Sequence, residues 1–233
     1  MPIAEFQKLI RKRQDWVKSS NENNFNFDGI LTGLYNDPSH FVYEILQNAE
    51  DAGATEVTFE LHEDRLEIYH DGEDFDFEDV EGVTGIGSSK KKDDINAIGK
   101  FGVGFKSVFA ITQTPIIRSG EYHFKIDDFV VPAHLNKEQI NATKIVLPFE
   151  HKIRSREDIF KLVNDKIEDI GLKSLLFLRN IEEVKWKSPH NRGHYLKSAK
   201  AIDNLSNTRR VTIVSQAIDG EYIVIERPFE IEI

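Results

Sequence analysis

The sequence predicts a mixed α/β fold, helices layered on a largely antiparallel sheet, and three observations carry that expectation. An amphipathic helical pattern over residues 41–51 runs directly into an alternating hairpin pattern over 56–70. Strand-like runs recur between 114 and 149. A further amphipathic helical pattern then covers 155–170. A chain of 233 residues with 39% hydrophobic content is long enough to bury a sizeable core.

Each element has a local reason. Residues 3–18 have a helical apolar pattern that the polar run "SSNENNFNFDG" interrupts. Asp37 and Pro38 form a start signal, an N-cap followed by proline at the first helical position, and "AGA" at 52–54 stops the helix they open. "EVTFEL" and "RLEIYH" alternate around the polar turn "HEDR" and read as a β-hairpin. From Asp71 to Gly104 the regularity drops and glycine rises, the signature of a functional lid or binding loop. "FKSVFAIT" then reads as a short helix, and "TPIIRSGEYHFKIDDFVV" and "TKIVLPF" read as strands. Ser155 and Asp158 have capping-box spacing at the head of the next helix, and "KSLLFLRNIEEVKWKS" reads as a buried strand region. Beyond Pro189 a polar connector leads to a hairpin, "VTIVSQ" and "EYIVIERP" around "AIDG". We therefore divide the chain into residues 1–188 and a following β-rich region, 189–233, and expect it to be a fragment of a longer protein because it stops within strand-like "FEIEI".

Bulk properties exclude several classes. No apolar run is long enough to span a membrane, and the opening "MPIAEFQKLIRKRQDW" lacks the apolar block of a secretory signal, so a cytoplasmic protein with no membrane partner is expected. The absence of cysteine removes disulfides, thiolate metal sites and cysteine nucleophiles. A formal net charge of −10 argues against a surface built for phosphate backbones, so no nucleic-acid partner is expected. The short basic clusters at 10–13 and 209–210 read as solvated faces, and "HEDR" lacks the second histidine of a zinc helix.

Two stretches carry candidate chemistry. In "FVYEILQNAEDAGA", Glu44, Asn48 and Asp51 share one side of the helix, beside the apolar stripe Phe41, Val42, Ile45, Leu46 and Ala49. Taken alone, that polar side is most simply a solvated face. In "GKFGVGFKS" the closely spaced glycines let backbone N–H groups approach phosphate oxygens, and a helix follows at once. The P-loop pattern fails because Phe105 separates Gly104 from Lys106, and no βαβ unit surrounds a dinucleotide fingerprint. What stands is GxxGxG, which fits a phosphate cradle or a glycine-rich turn equally.

Read together and in order, "EILQNAEDAGA", "HDGEDF", "IGKFGVGFKSVF" and "ATKIVLPF" resemble the motif series of the GHKL ATPase superfamily. Within it, "DPSHFVYEILQNAEDAGATEV", "SSKK" and "SLLFLRNIEEV" are most similar to sacsin-type ATPase domains, relatives of the ATP-dependent heat-shock chaperones. The resemblance runs from Tyr35 to Trp186 and is specific because four spaced motifs coincide. It implies a Bergerat fold: a two-layer α/β sandwich, with a mixed, largely antiparallel sheet and helices on one face.

The resemblance also implies a site that binds ATP with Mg²⁺ and hydrolyses it slowly. Glu44 would be the general base that activates water, Asn48 would give its amide oxygen to Mg²⁺, and Asp51 would support them by hydrogen bonding. Asp71 would accept a hydrogen bond from the adenine amino group, with Thr143 reaching the base through water. The run Gly99, Phe101, Gly102, Val103, Gly104 and Phe105 would wrap the phosphates, with Lys106 and Ser107 opening the next helix. Lys106 either neutralises phosphate or points to solvent, with solvent slightly favoured. Lys90 either comes down on the nucleotide or stays in a solvated loop. A lid over residues 82–104 is expected to order around ATP and expose a surface for an ATP-dependent homodimer, in a chaperone-like or remodelling protein with an unknown protein client. The sequence departs from the chaperone pattern at "DGEDF", with its single displaced glycine, and at Ala142, where glycine is usual. A module that binds ATP or ADP and dimerises without useful hydrolysis is the alternative. A histidine-kinase catalytic domain is less favoured, because no phospho-accepting helix is present.

Overall fold

A computed structural model describes residues 3–23, 40–85, 104–202, 208–215 and 220–225. It is an α+β structure on one ten-stranded mixed sheet, ordered β10-β9-β8-β7-β1-β2-β6-β3-β4-β5. The strands are β1 (Glu56–Leu61), β2 (Arg65–His70), β3 (Ile116–Ser119), β4 (Tyr122–Asp127), β5 (Val131–His134), β6 (Thr143–Pro148), β7 (Glu183–Lys187), β8 (Arg192–Ala201), β9 (Thr208–Ser215) and β10 (Gly220–Ile225). Strands β1 and β7 run parallel, and every other neighbouring pair is antiparallel.

Register explains the core. Trp186, Phe59, Ile68, Ile145, Ile117 and Phe124 are successive cross-strand partners, so one apolar row crosses six strands. Helices α1 (Ile3–Glu22), α2 (Phe41–Asp51) and α4 (Arg156–Glu168) bury Phe6, Leu9, Phe41, Ile45, Leu46, Ile159, Val163 and Ile167 in the same core. Each such side chain contributes roughly 1.5–3 kcal/mol on leaving water. The alternate positions of the central strands carry charges that pair within and across the strands. Lys185 meets Glu56 at 3.0 Å and Glu183 at 2.9 Å, Lys187 meets Glu60 at 2.8 Å, and Arg65 and Lys144 both hold Glu67.

The local stop and start signals work as chemistry requires. Helix α2 ends in a Schellman arrangement: Ala54 N–H donates to Ala49 C=O, Gly53 N–H donates to Glu50 C=O, and Gly53 takes φ +70°. The hairpin of β1 and β2 closes with His62 N–H on Arg65 C=O. Ser155 caps α4 by accepting from Asp158 N–H at 3.1 Å. The expected strands β3 to β6 and the hairpin of β9 and β10 form as read.

Four expectations need correction. Helix α1 continues to Glu22 because Ser19 to Glu22 contain no breaker, and Asn23 then caps the Ser19 carbonyl through both its backbone N–H and its side-chain amide. The segment after Asp71 is not uniformly irregular: α3 (Phe77–Thr84) opens with a reciprocal capping box, in which Asp79 N–H donates to Asp76 and Asp76 N–H to Asp79, each at 2.9 Å. The buried strand expected over 173–188 is a short helix, α5 (Leu172–Leu176), a turn, and then β7. The polar connector after Pro189 holds β8, which pairs with β7 and β9, so the sheet continues beyond residue 188. The Asp37 and Pro38 start signal lies outside the described residues. Among those residues, no helix is long and apolar enough to cross a membrane.

Candidate functional site

Helix α2 is the axis of the site. Its apolar stripe is sealed in the core, which turns the side bearing Glu44, Asn48 and Asp51 away from the packed layer. A 3₁₀ helix, Gly104–Ala110, lies against it. Gly104 meets the Glu44 carboxylate so closely that a Cβ at Gly104 would collide with Oε2. Ser107 secures this end of the glycine run by donating its hydroxyl to Gly104 C=O at 2.6 Å. Two motifs sixty residues apart in sequence therefore meet at one carboxylate.

The other end of α2 receives the Asp-Gly motif. Glu73 N–H donates to Ala52 C=O at 2.8 Å, and a Cβ on Gly72 would strike Ala52. Asp71 Oδ1 accepts from Thr55 N–H and Glu56 N–H, each at 2.8 Å, while Oδ2 accepts the Thr55 hydroxyl at 2.5 Å. Burial pushes the Asp71 carboxyl up, but these hydrogen bonds outweigh it and hold the group below its ordinary value. Thr143 pairs with His70 across β6 and β2, so Asp71 and Thr143 stand at the same end of the sheet. The Thr143 hydroxyl is buried and shares a 2.5 Å hydrogen bond with Ser119 Oγ, which also accepts from Phe75 N–H at 2.9 Å. Burial depresses the neighbouring His70 imidazole to about 4, against the opposing pull of Asp71 and Asp74.

Two residues at the end of the glycine run are buried. The Phe105 side chain packs in the hydrophobic core. Lys106 points neither to solvent nor to an open phosphate position: it is 3% exposed, and its Nζ donates to Val83 C=O at 2.6 Å and Phe129 C=O at 2.5 Å. Burial, with Arg13 nearby, lowers its ammonium to about 7. An isolated buried ammonium is costly, and the two carbonyls, one from the last turn of α3, are what it finds. Lys90, Gly99, Phe101, Gly102 and Val103 lie outside the described residues.

Sequence reading missed Glu50. Its carboxylate, 5% exposed, accepts three backbone N–H groups: Arg179 at 2.6 Å and Asn180 at 2.7 Å on Oε1, and Ile181 at 3.0 Å on Oε2. Asn180 Nδ2 returns a hydrogen bond to Glu50 C=O at 3.1 Å. The signal was present, because positions 41, 42, 45, 46, 49 and 50 form one continuing buried stripe and Glu50 occupies its last place. Glu60, His62 and Glu67 bring three donor atoms within 4.8 Å of one another, yet Lys187, Arg65 and Lys144 already supply the positive charge there.

The fold and site define an α+β protein in which a helix bearing Glu and Asn is flanked by Gly104, the end of a glycine-rich sequence, and by an Asp-Gly turn. A family model described as "Sacsin domain" matches residues 66–157. "Protein NO VEIN" of Arabidopsis thaliana is 29% identical over 185 aligned residues, covering 66% of this chain and 7% of that protein. "Sacsin" of Homo sapiens is 38% identical over 105 residues, 37% of this chain and 2% of that protein. "Putative type II restriction enzyme HgiDII" of Herpetosiphon aurantiacus is 33% identical over 91 residues, 36% of this chain and 15% of that protein. These similarities support a sacsin-type relationship, and the chain corresponds to a small part of each relative.

Proposed function

We propose that this chain is a GHKL-type module of Bergerat fold that binds ATP with Mg²⁺ and hydrolyses it slowly, driving a conformational change in a chaperone-like or remodelling protein. The observation that carries this reading is the contact of Glu44 with Gly104, which sets a carboxylate against the end of a glycine run, where any larger residue would push the Glu44 carboxylate aside. Mg²⁺ suits the donor set: Asn48 would hold it with a neutral amide oxygen, and the ion would neutralise phosphate charge. Glu44 is thereby left to orient water and take its proton. Asp71 is kept ionised, and its Oδ2, which accepts the Thr55 hydroxyl, has a second lone pair for the adenine amino group. Guanine presents a carbonyl at that place and would be repelled.

The relatives' names span a plant protein, a human sacsin and a putative restriction enzyme, as expected of a nucleotide-driven module attached to different effectors. The net charge of −10 speaks against this segment contacting nucleic acid itself. ATP-dependent homodimerisation and an unidentified protein client belong to the same reading. The test is calorimetric titration with ATP, ADP and GTP, with and without Mg²⁺, followed by phosphate release. Adenine-selective, Mg²⁺-assisted binding is expected. Glu44→Ala should bind ATP and release phosphate at least roughly 100-fold more slowly, a loss typical of a removed general base. Asn48→Ala should weaken binding only when Mg²⁺ is present. Unchanged turnover in Glu44→Ala would refute the assignment.

A further inference from the structure

The turn at residues 178–181 is held from two sides. Glu50 takes its three successive N–H groups, and Lys197 of β8 donates Nζ to Leu178 C=O at 2.6 Å. Lys197 is 6% exposed, and its own N–H donates to Glu182 C=O at 2.7 Å. The next two amides, Glu182 and Glu183, both donate to Thr55 C=O, on the loop that also receives Asp71. At about 100° per residue, Glu50 projects from α2 about 120° away from Glu44, off the polar side. An apolar stripe resists separation but tolerates small rotations of a helix about its axis. A buried carboxylate gripped by three directional donors does not.

We propose that Glu50 is a positioning residue for the nucleotide site: by fixing the rotation of α2 against the 178–181 turn, it aligns Asn48 and Glu44, and through Lys197 it ties that alignment to β8. This inference rests on the ATP reading above. It assigns the turn within "LFLRNI" a function, since that turn is the socket into which the helix is keyed.

The test compares the wild-type chain with Glu50→Gln and Lys197→Met. Glu50→Gln keeps the shape but turns one acceptor oxygen into an NH₂ that faces a backbone donor. Its dependence on Mg²⁺ should shift to roughly 10–100-fold higher concentration, as for residues that support a metal ligand from behind. The turnover number should fall more than the Michaelis constant rises, and binding of ATP without Mg²⁺ should change little. Lys197→Met should show the same pattern, more weakly. Hydrogen exchange in the wild-type protein gives a measurement independent of any variant's folding: Mg·ATP should slow the Arg179, Asn180 and Ile181 amides selectively, because linkage is reciprocal. A Glu50→Gln protein that melts earlier but keeps the wild-type Mg²⁺ profile would overturn the proposal, as would amides at 179–181 that ignore Mg·ATP. A wild-type chain that binds no ATP would instead defeat the functional reading on which the proposal stands.

Discussion

Two buried charges flank the candidate site, and they are accommodated differently. Glu50 sits among three N–H donors that engage both of its carboxylate oxygens, with Lys197 close by. Lys106 finds two carbonyls and the face of Phe109 at 5.4 Å, but Arg13 adds a like charge, and its ammonium is lowered to about 7. A peptide turn offers a carboxylate several convergent dipoles. An ammonium beside a helix end shares only a few carbonyls, so its burial shows as a weakened hold on the proton.

The largest effect should come from breaking the better-satisfied charge. Glu50→Leu leaves three backbone donors facing an apolar side chain and should cost roughly 3 kcal/mol or more, read as a lower urea midpoint. Lys106→Met should cost less near neutral pH, and the gap should grow in alkali. Between about 7 and 10.5 the unfolded chain holds the Lys106 proton and the folded chain does not, so wild-type stability climbs with pH over that window. The variant lacks this rise, and denaturant melts of the two proteins at pH 7 and pH 9.5 should diverge, by at most about 1.4 kcal/mol per pH unit. If the two curves run parallel, Lys106 is not buried in solution. Lys197→Met repeats the experiment in the narrower window from about 8 to 10.5, with a smaller divergence, since burial is partly opposed by Glu50. Smallest is His70, whose neutral burial costs stability as pH falls from 6.5 towards about 4. His70→Gln should flatten part of the acid limb of the stability profile.

Much of the fold was legible because its signals are local. The apolar stripe of α2, its glycine stop, the alternating hairpins and the Ser155 cap each act within a few residues. The missed elements lacked such a pattern or drew on distant partners. Strand β8 buries Lys197 where alternation would call for an apolar residue, so it reads as a polar connector. Helix α3 hides in a glycine-rich stretch because its signal is a pair of aspartates, Asp76 and Asp79, rather than a hydrophobic face. In the site, the polar side of α2 was legible as a shared helical face. The burial of Lys106 was not, since the carbonyls that receive it come from Val83 and Phe129.

The parallel pairing of β1 with β7 carries a consequence for how the protein is made. Thr58 has Lys185 as its partner, so one side of β1 stays unpaired while the intervening chain is synthesised. At ribosomal speeds of about 5–20 residues per second that interval is on the order of ten seconds, during which the β1–β2 hairpin and α2 exist with an open strand edge. The socket for Glu50 arrives only just before β7 does. A newborn chain should therefore gain a competent α2 late, and a ribosome stalled shortly before residue 178 should display a segment that invites pairing with whatever strand is nearby.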